Sequence, residues 1–261
     1  MISRSAWGKM TGLALTVACL LNSQVSLAAE YEKKIRIAYY VGKGVGKPRN
    51  LSDKLKDQDD MELTFMNGIK LRASDLRGYD VIVVPGGLSK LESRSMAREG
   101  REELRRFVKE GGCYLGICAG CYLGSCSSEN DLDLFPLRAL DTAHWRRGET
   151  KLDLDLTPEG MEIFGREKPH IKVIYHNGPV LGWKDDQPDP HVKVLGRYLN
   201  EIVAPGGEPG IMRGAPSMVY TRYGAGRVIG CSPHTEKTPG LENMLPHAIR
   251  WMVQQQRESR D

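Results

Sequence analysis

The chain has 261 residues, 40% of them hydrophobic, and a formal net charge of only +4 at neutral pH. Such a weak basic bias does not favour nucleic acid binding, which usually accompanies a strongly basic domain. The length suits one large α/β domain, and six cysteines are too few for a small fold held together by disulfides.

Residues 1–28 have the pattern of a removable secretory signal. Two basic residues precede an apolar run over residues 13–21, and a small-x-small cleavage site follows. The run is too short to span a bilayer. A lipoprotein signal ending before Cys19 is the alternative, although the residues before Cys19 match the usual lipoprotein cleavage motif poorly. We therefore expect residues 29–261 to form a single exported domain, periplasmic or secreted, without a membrane span.

Strand and helix signals alternate at the start of this domain. Apolar runs predict strands at residues 35–41, 61–66 and 79–84, and the third run is continuously apolar at its end, as in a strand buried on both faces. A helix is predicted over 95–110, and a fourth strand at 112–117. This order predicts an α/β fold with a doubly wound, mostly parallel, flavodoxin-like sheet, whose sites lie at the carboxyl ends of the strands.

Beyond about residue 132 the sequence changes to strand signals. Alternating or apolar runs predict strands over five ranges: residues 152–156, 171–175, 192–195, 217–222 and 227–231. A Gly- and Pro-rich stretch over 205–216 is predicted as a loop, and a last helix is predicted over 246–255. The second half therefore predicts a β-rich segment added to the parallel sheet.

The junction after the fourth strand is the most informative segment of the chain. Residues 116–120 read Gly-Ile-Cys-Ala-Gly. A side chain at the tip of a sharp strand-to-helix turn sits in a strained backbone conformation, so its neighbours must be small. This layout predicts a nucleophile elbow with Cys118 as the nucleophile. The alternative is a buried structural cysteine.

Five cysteines follow the predicted signal, so at least one thiol has no partner within the exported chain. We expect Cys118 to be that thiol. The spacing does not determine whether or how the others pair: Cys113, Cys121, Cys126 and Cys231. Because residues 118–121 also read Cys-x-x-Cys, a redox role is a further alternative.

A histidine and two glycines complete a candidate catalytic site. His234 follows the strand at 227–231, and Glu236 faces the same way in an extended segment, where it can accept a hydrogen bond from the imidazole. If that strand is parallel to its neighbours, His234 lies at the same sheet edge as the elbow and as Gly86 and Gly87. The other histidines lack metal-ligand spacing, so we expect no metal site, but His176 ends a strand and could lie near this edge.

Three motifs in this order resemble those of class I glutamine-amidotransferase-like domains: Pro-Gly-Gly at residues 85–87, Gly-x-Cys-x-Gly at 116–120 and His-x-Glu at 234–236. Within that superfamily, the sequence around the elbow, the Tyr-His-Asn-Gly-Pro at 175–179 and the Ser-Pro-His-Thr-Glu that ends at Glu236 most resemble the biotin-protein-ligase amino-terminal domain. Thr235 is a departure, because these glutaminases usually carry Pro between His and Glu.

The resemblance implies a set of roles. Cys118 would attack an amide carbonyl, His234 would move the proton and Glu236 would orient the imidazole, while the backbone N–H groups of Gly87 and Ala119 stabilise the oxyanion. It implies a thiol-dependent amidohydrolase acting on a small-molecule or peptide amide, without a cofactor. The alternative is a non-catalytic ligand-binding or interaction domain on the same fold.

Overall fold

The computed structural model describes residues 34–46 and 50–259, so the predicted signal lies outside the described residues. From Ile35 onward these residues belong to one compact unit. Its strands are β1 Ile35–Tyr40, β2 Met61–Met66, β3 Val81–Val84, β4 Cys113–Ile117, β5 Leu137–Leu140, β6 Glu149–Leu156, β7 His170–His176, β8 Val180–Trp183, β9 Lys193–Tyr198, β10 Pro216–Tyr223 and β11 Gly226–Cys231. Its helices are α1 Asn50–Lys56, α2 Gly68–Ala73, α3 Ser89–Lys109, α4 Ala119–Gly124, α5 Pro158–Phe164 and α6 Met244–Glu258.

The main sheet has nine strands in the order β2-β1-β3-β4-β11-β10-β9-β6-β7. The first five are mutually parallel, and β3, β4 and β11 are adjacent and buried along their whole length. Full burial on both faces explains why β3 and β4 read as unbroken apolar runs and why β11 is apolar apart from Arg227. The predicted α/β fold with a doubly wound sheet is confirmed, and the carboxyl ends of β3, β4 and β11 lie side by side.

The predicted β-rich segment is the other half of the same sheet. Strands β10, β9, β6 and β7 continue it in antiparallel pairs. Strands β5 and β8, absent from the sequence predictions, form a separate antiparallel pair. Ile174 of β7 also forms an isolated antiparallel bridge with His234. This bridge joins the last strand of the sheet to the segment that follows β11.

Two hydrophobic cores cover the two faces of the sheet, as expected for a doubly wound fold. One packs β1, β3 and β4 side chains against α1, α5 and α6, including Leu55, Phe164 and Ile249. The other packs the opposite sides of the strands against α2, α3 and α4, including Leu71 and Phe107. No helix among the described residues is long and apolar enough to cross a membrane.

Helix α3 differs from its prediction, because it starts at Ser89 rather than at residue 95 and is kinked. Ala97 has φ 59° and ψ −178°, which breaks the helix between two segments. The Arg72 guanidinium of α2 donates to the carbonyls of Ser95 and Met96, at 3.2 and 3.3 Å, and so satisfies groups exposed by the kink. Leu88 provides no side-chain cap, so the helix start carries no sequence signal.

Candidate active site

Cys118 occupies the predicted strand-to-helix turn between β4 and α4. Its backbone has φ 51° and ψ −99°, a conformation that non-glycine residues rarely adopt. The Cys118 N–H donates to the Cys231 carbonyl at 2.8 Å, and the buried Tyr114 hydroxyl donates to the Gly120 carbonyl at 2.7 Å. The turn is therefore fixed to β11 on one side and to its own strand on the other.

The two glycines of the motif are required by close backbone approaches. A Cβ at Gly120 would lie 2.1 Å from the Val84 carbonyl oxygen, and one at Gly116 would lie 2.5 Å from the Gly120 carbonyl oxygen. Real Cβ atoms do not make such contacts with backbone. The Gly-x-Cys-x-Gly pattern is thus explained by the packing of the elbow against β3 and against itself.

His234 and Glu236 form a buried pair at the end of β11. The His234 Nδ1 lies 2.7 Å from Glu236 Oε1, and both side chains are less than a tenth exposed. The His234 backbone N–H donates to the Ile174 carbonyl at 2.8 Å, and the Thr238 hydroxyl donates to the His234 carbonyl at 2.7 Å. Thr235 in place of the usual Pro therefore does not separate Glu236 from the imidazole.

The surroundings of His234 favour its protonated form. Burial by itself lowers the pKa of the imidazole, but hydrogen bonds with Cys118 and Glu236 and the charge of Glu236 outweigh it and raise the pKa to about 9. Because Nδ1 engages Glu236, Nε2 is the nitrogen left for the sulfur of Cys118. The three side chains thus form a connected row from thiol to imidazole to carboxylate.

Gly86 lies in contact with both His234 and Cys118. A Cβ on Gly86 would be 2.8 Å from His234 Cε1 and 3.3 Å from Cys118 Cβ. The neighbouring Gly87 pairs with the Gly42–Gly46 loop: the Gly46 N–H donates to the Gly86 carbonyl, and the Leu88 N–H donates to the Gly44 carbonyl. The Gly87 N–H takes no part in this pairing. Like the Ala119 N–H in the first turn of α4, it is therefore not used by the hydrogen bonding of the strands and helices.

His176, at the end of β7, also reaches the site. The Cys118 thiol donates to the His176 carbonyl at 3.5 Å, and the ring centroids of His176 and His234 are 6.4 Å apart. The His176 ring itself is half-exposed, and its Nδ1 lies 3.1 Å from Glu149 Oε2. The carbonyl rather than the imidazole of His176 is thus the group that touches the thiol.

Arg147 is a functional candidate that the sequence analysis missed. Its guanidinium is buried; Nη2 donates to Asp141 Oδ2 at 3.1 Å, while Nη1 has no partner among the described residues. Burial raises the pKa of Tyr122 and that of Tyr175, the latter to about 12. For both tyrosines the charge of Arg147 lowers the pKa and the charge of Cys118 raises it. A buried cation with an unfilled donor therefore lies next to tyrosines that border the elbow. Its only sequence signal is an Arg-Arg-Gly in a loop.

Cys118, Cys121, Cys126 and Cys231 are free thiols, so none of them forms a disulfide. Burial raises the pKa of Cys121 well above its usual range. Within residues 34–46 and 50–259 no group of three or more His, Cys, Asp or Glu side chains is placed to hold a metal ion. The structure thus brings together Gly86, Gly87, Cys118, Ala119, His234 and Glu236, the residues predicted for the site.

The family of biotin-protein ligase N-terminal domains matches residues 77–136, which run from the approach to β3 past the elbow. The pyridoxal 5'-phosphate synthase subunit PdxT of Listeria monocytogenes is 33% identical over 136 residues, covering 51% of this chain and 67% of the relative. The same subunit of Listeria innocua is 31% identical over the same shares of both chains.

Solved structures share the fold at low identity. A protein described as a GMP synthase subunit, from Thermoplasma acidophilum, has a TM-score of 0.58 and 14% identity, covering 87% of this chain and 98% of that one. A glutamine amidotransferase from Thermotoga maritima has a TM-score of 0.51 and 10% identity, covering 86% and 90%. A ThuA-like protein from Bacteroides uniformis has a TM-score of 0.54 and 13% identity, covering 84% and 91%. At such identities the likeness concerns the fold alone.

Proposed function

Because the chain belongs to the class I glutamine-amidotransferase-like superfamily, we propose that it is a cysteine-dependent amide hydrolase with Cys118, His234 and Glu236 as its catalytic residues. The observation that carries the proposal is the convergence of Gly86, Cys118 and His234 at three adjacent parallel strand ends, with the imidazole held by Glu236. A nucleophile, a proton carrier and an orienting carboxylate in one row are what acyl transfer requires.

In the proposed reaction the Cys118 sulfur attacks the amide carbonyl carbon while its proton resides on His234. The carbonyl oxygen becomes an oxyanion, which the N–H groups of Gly87 and Ala119 stabilise. The C–N bond then breaks, His234 gives its proton to the departing amine, and a thioester remains on Cys118. Water activated by His234 hydrolyses the thioester and releases the carboxylic acid.

Arg147 supports an amide substrate that also carries a carboxylate. A buried guanidinium with an unfilled N–H group provides a charge-assisted hydrogen bond of the kind that carboxylates accept. We therefore propose a γ-glutamyl or related amide as the substrate. We also propose that the chain is exported, on the evidence of its first 28 residues, and that it hydrolyses its amide without a synthase partner.

The test is ammonia release from L-glutamine and γ-glutamyl amides by the purified, exported protein, combined with labelling of its thiols by iodoacetamide and intact-mass detection. We expect turnover and rapid labelling of Cys118 that slows in His234→Ala. If Cys118 is labelled slowly and at the same rate in the wild type and in His234→Ala, and no amide is turned over, a ligand-binding domain is the better interpretation. Amino-terminal sequencing of the same material tests export, because it should begin near Ala29.

Arg147→Gln should raise KM for L-glutamine about 10- to 100-fold with a smaller effect on kcat, because a hydrogen bond to a charged group contributes about 1.5–3 kcal/mol. The same variant should hardly change KM for L-glutaminamide, which lacks the carboxylate. Arg146→Gln is the matched control, because the Arg146 side chain stacks on Trp145 at the surface. Equal loss on both substrates would show that Arg147 acts on stability rather than on the carboxylate.

A further inference from the structure

Glu92 is a buried acid that the proposed chemistry does not use. It lies in the first turn of α3, and its side chain is 0% exposed. Neither of its carboxylate oxygens accepts a hydrogen bond from a donor among the described residues. An ionised carboxylate in that position would be strongly destabilising, so a buried acid without partners is normally protonated.

The carboxyl group of Glu92 lies directly behind the Gly87 turn. At the point where a Cβ on Gly87 would stand, Glu92 Oε1 is 2.7 Å away and the Gly44 carbonyl oxygen is 2.1 Å away. Both oxygen atoms therefore border the same small volume beside Gly87, and a proton on the carboxyl group would replace the repulsion between them with an attraction. The Gly44 carbonyl already accepts from the Leu88 N–H at 2.8 Å, and its second lone pair is available to another donor.

The opposite side of this turn is the active site, because a Cβ on the preceding residue, Gly86, would meet His234 and Cys118. The Gly86–Leu88 turn is therefore sandwiched between the catalytic side chains and Glu92. Within the part of the chain that the structure describes, two backbone hydrogen bonds pair it with the Gly42–Gly46 loop. Whatever holds Gly44 in place also holds Gly87.

We infer that Glu92 is a positioning residue for the proposed oxyanion donor: its protonated carboxyl group donates a hydrogen bond to the Gly44 carbonyl and so holds the Gly42–Gly46 loop and Gly87 in their working arrangement. The inference rests on the proposed function only in naming Gly87 as an oxyanion donor. The coupling of Glu92 to the loop stands on the geometry alone. Loss of the proton would set a charge against the Gly44 oxygen and release the loop.

The electrostatics of the surroundings agree with a neutral Glu92. Burial raises the pKa of Glu92 to about 8, although the positive end of the α3 dipole favours the ionised form. The titratable groups that face it are the hydroxyls of Tyr39, Tyr40 and Tyr114. Neighbouring elements also carry two cations, Lys43 in the loop and Arg72 on α2, but burial alone accounts for the shift. The native pKa lies above the ordinary value of 4.5, so the native state holds this proton and loses it as pH rises through about 8.

The experiment is hydrogen exchange of the backbone amides in the Gly42–Gly46 and Gly86–Leu88 segments between pH 7 and pH 9.5, corrected for intrinsic exchange rates. In the wild type we expect protection to fall about tenfold or more across this range. Glu92→Gln keeps a neutral donor and should hold its protection within about twofold, whereas Glu92→Ala should show low protection at both pH values. Glu99→Gln, on the exposed side of the same helix, is the control and should behave as the wild type.

A wild type whose loop protection does not change with pH, or a Glu92→Gln variant that loses protection like the wild type, would overturn the inference. Comparison of wild type with Glu92→Gln suffices if Glu92→Ala does not fold. The two proposals fail differently. If the loop responds to pH as expected but no amide is hydrolysed, the proposed function is wrong and the coupling of Glu92 to the loop still stands. If amides are hydrolysed and the rate declines at alkaline pH in the same way in the wild type and in Glu92→Gln, Glu92 has no such role and the proposed function still stands.

Discussion

Cys118→Ala should abolish amide hydrolysis, with a fall in kcat on the order of 10⁴-fold or more, while the protein remains folded. Removal of the nucleophile of a catalytic row has an effect of this size, because the remaining groups cannot form a covalent intermediate. Folding should survive, since alanine fills most of the volume of cysteine and the backbone hydrogen bond from Cys118 to Cys231 that holds the elbow does not involve the thiol. Ammonia release and the urea midpoint are the two measurements.

Cys126→Ala is the matched control for this experiment. Cys126 is a free, partly exposed thiol eight positions along the chain, outside the row of Cys118, His234 and Glu236. It should keep full turnover. If Cys118→Ala retained more than about a hundredth of the wild-type rate, a mechanism without covalent attack would be required.

Gly120→Ala should destabilise the protein by about 3 kcal/mol or more, one of the largest effects available from a single methyl group. The added Cβ would lie 2.1 Å from the Val84 carbonyl oxygen, so α4 must move away from β3 or the elbow must open. The free energy of unfolding from urea titration measures the effect. Turnover per folded molecule should fall as well, because the Gly86 turn follows directly from β3.

Gly78→Ala is the control for the methyl group itself. Gly78 is exposed, and nothing lies within 4 Å of the position its Cβ would take. Its free energy of unfolding should change by no more than about 0.5 kcal/mol. If Gly120→Ala were equally mild, the close approach of the elbow to β3 would not be a constraint on folding.

The parts of the site that the sequence predicted are those whose reason is local. Gly-x-Cys-x-Gly marks a strained turn because the glycines and the cysteine act within five residues. The contact between His234 and Glu236 was also predicted, but from an extended segment, whereas Thr235–Lys237 is a short 3-10 helix that brings the two side chains together instead. The buried strands β3, β4 and β11 were likewise predicted, since burial on both faces leaves a mostly apolar run, in β11 apart from Arg227.

Other features depend on burial that only the folded chain produces. Arg147 and Glu92 look like ordinary surface charges in the sequence, and their importance lies in unpartnered atoms inside the protein. The helices α2 and α5, six and seven residues long, are too short for a helical period to stand out. The last helix starts at Met244 rather than at Pro246, because proline is tolerated throughout a first turn.

The bridge between Ile174 and His234 ties the proposed site to an edge strand of the sheet. Strand β7 is an edge strand, joined on one side only to β6, yet its backbone holds His234, and the carbonyl of His176 at its end contacts Cys118. Edge strands open at a smaller free-energy cost than the central strands that they flank. A local opening of β6 and β7 would therefore release the imidazole while the parallel core stays folded, so the arrangement proposed for catalysis can be lost without global unfolding.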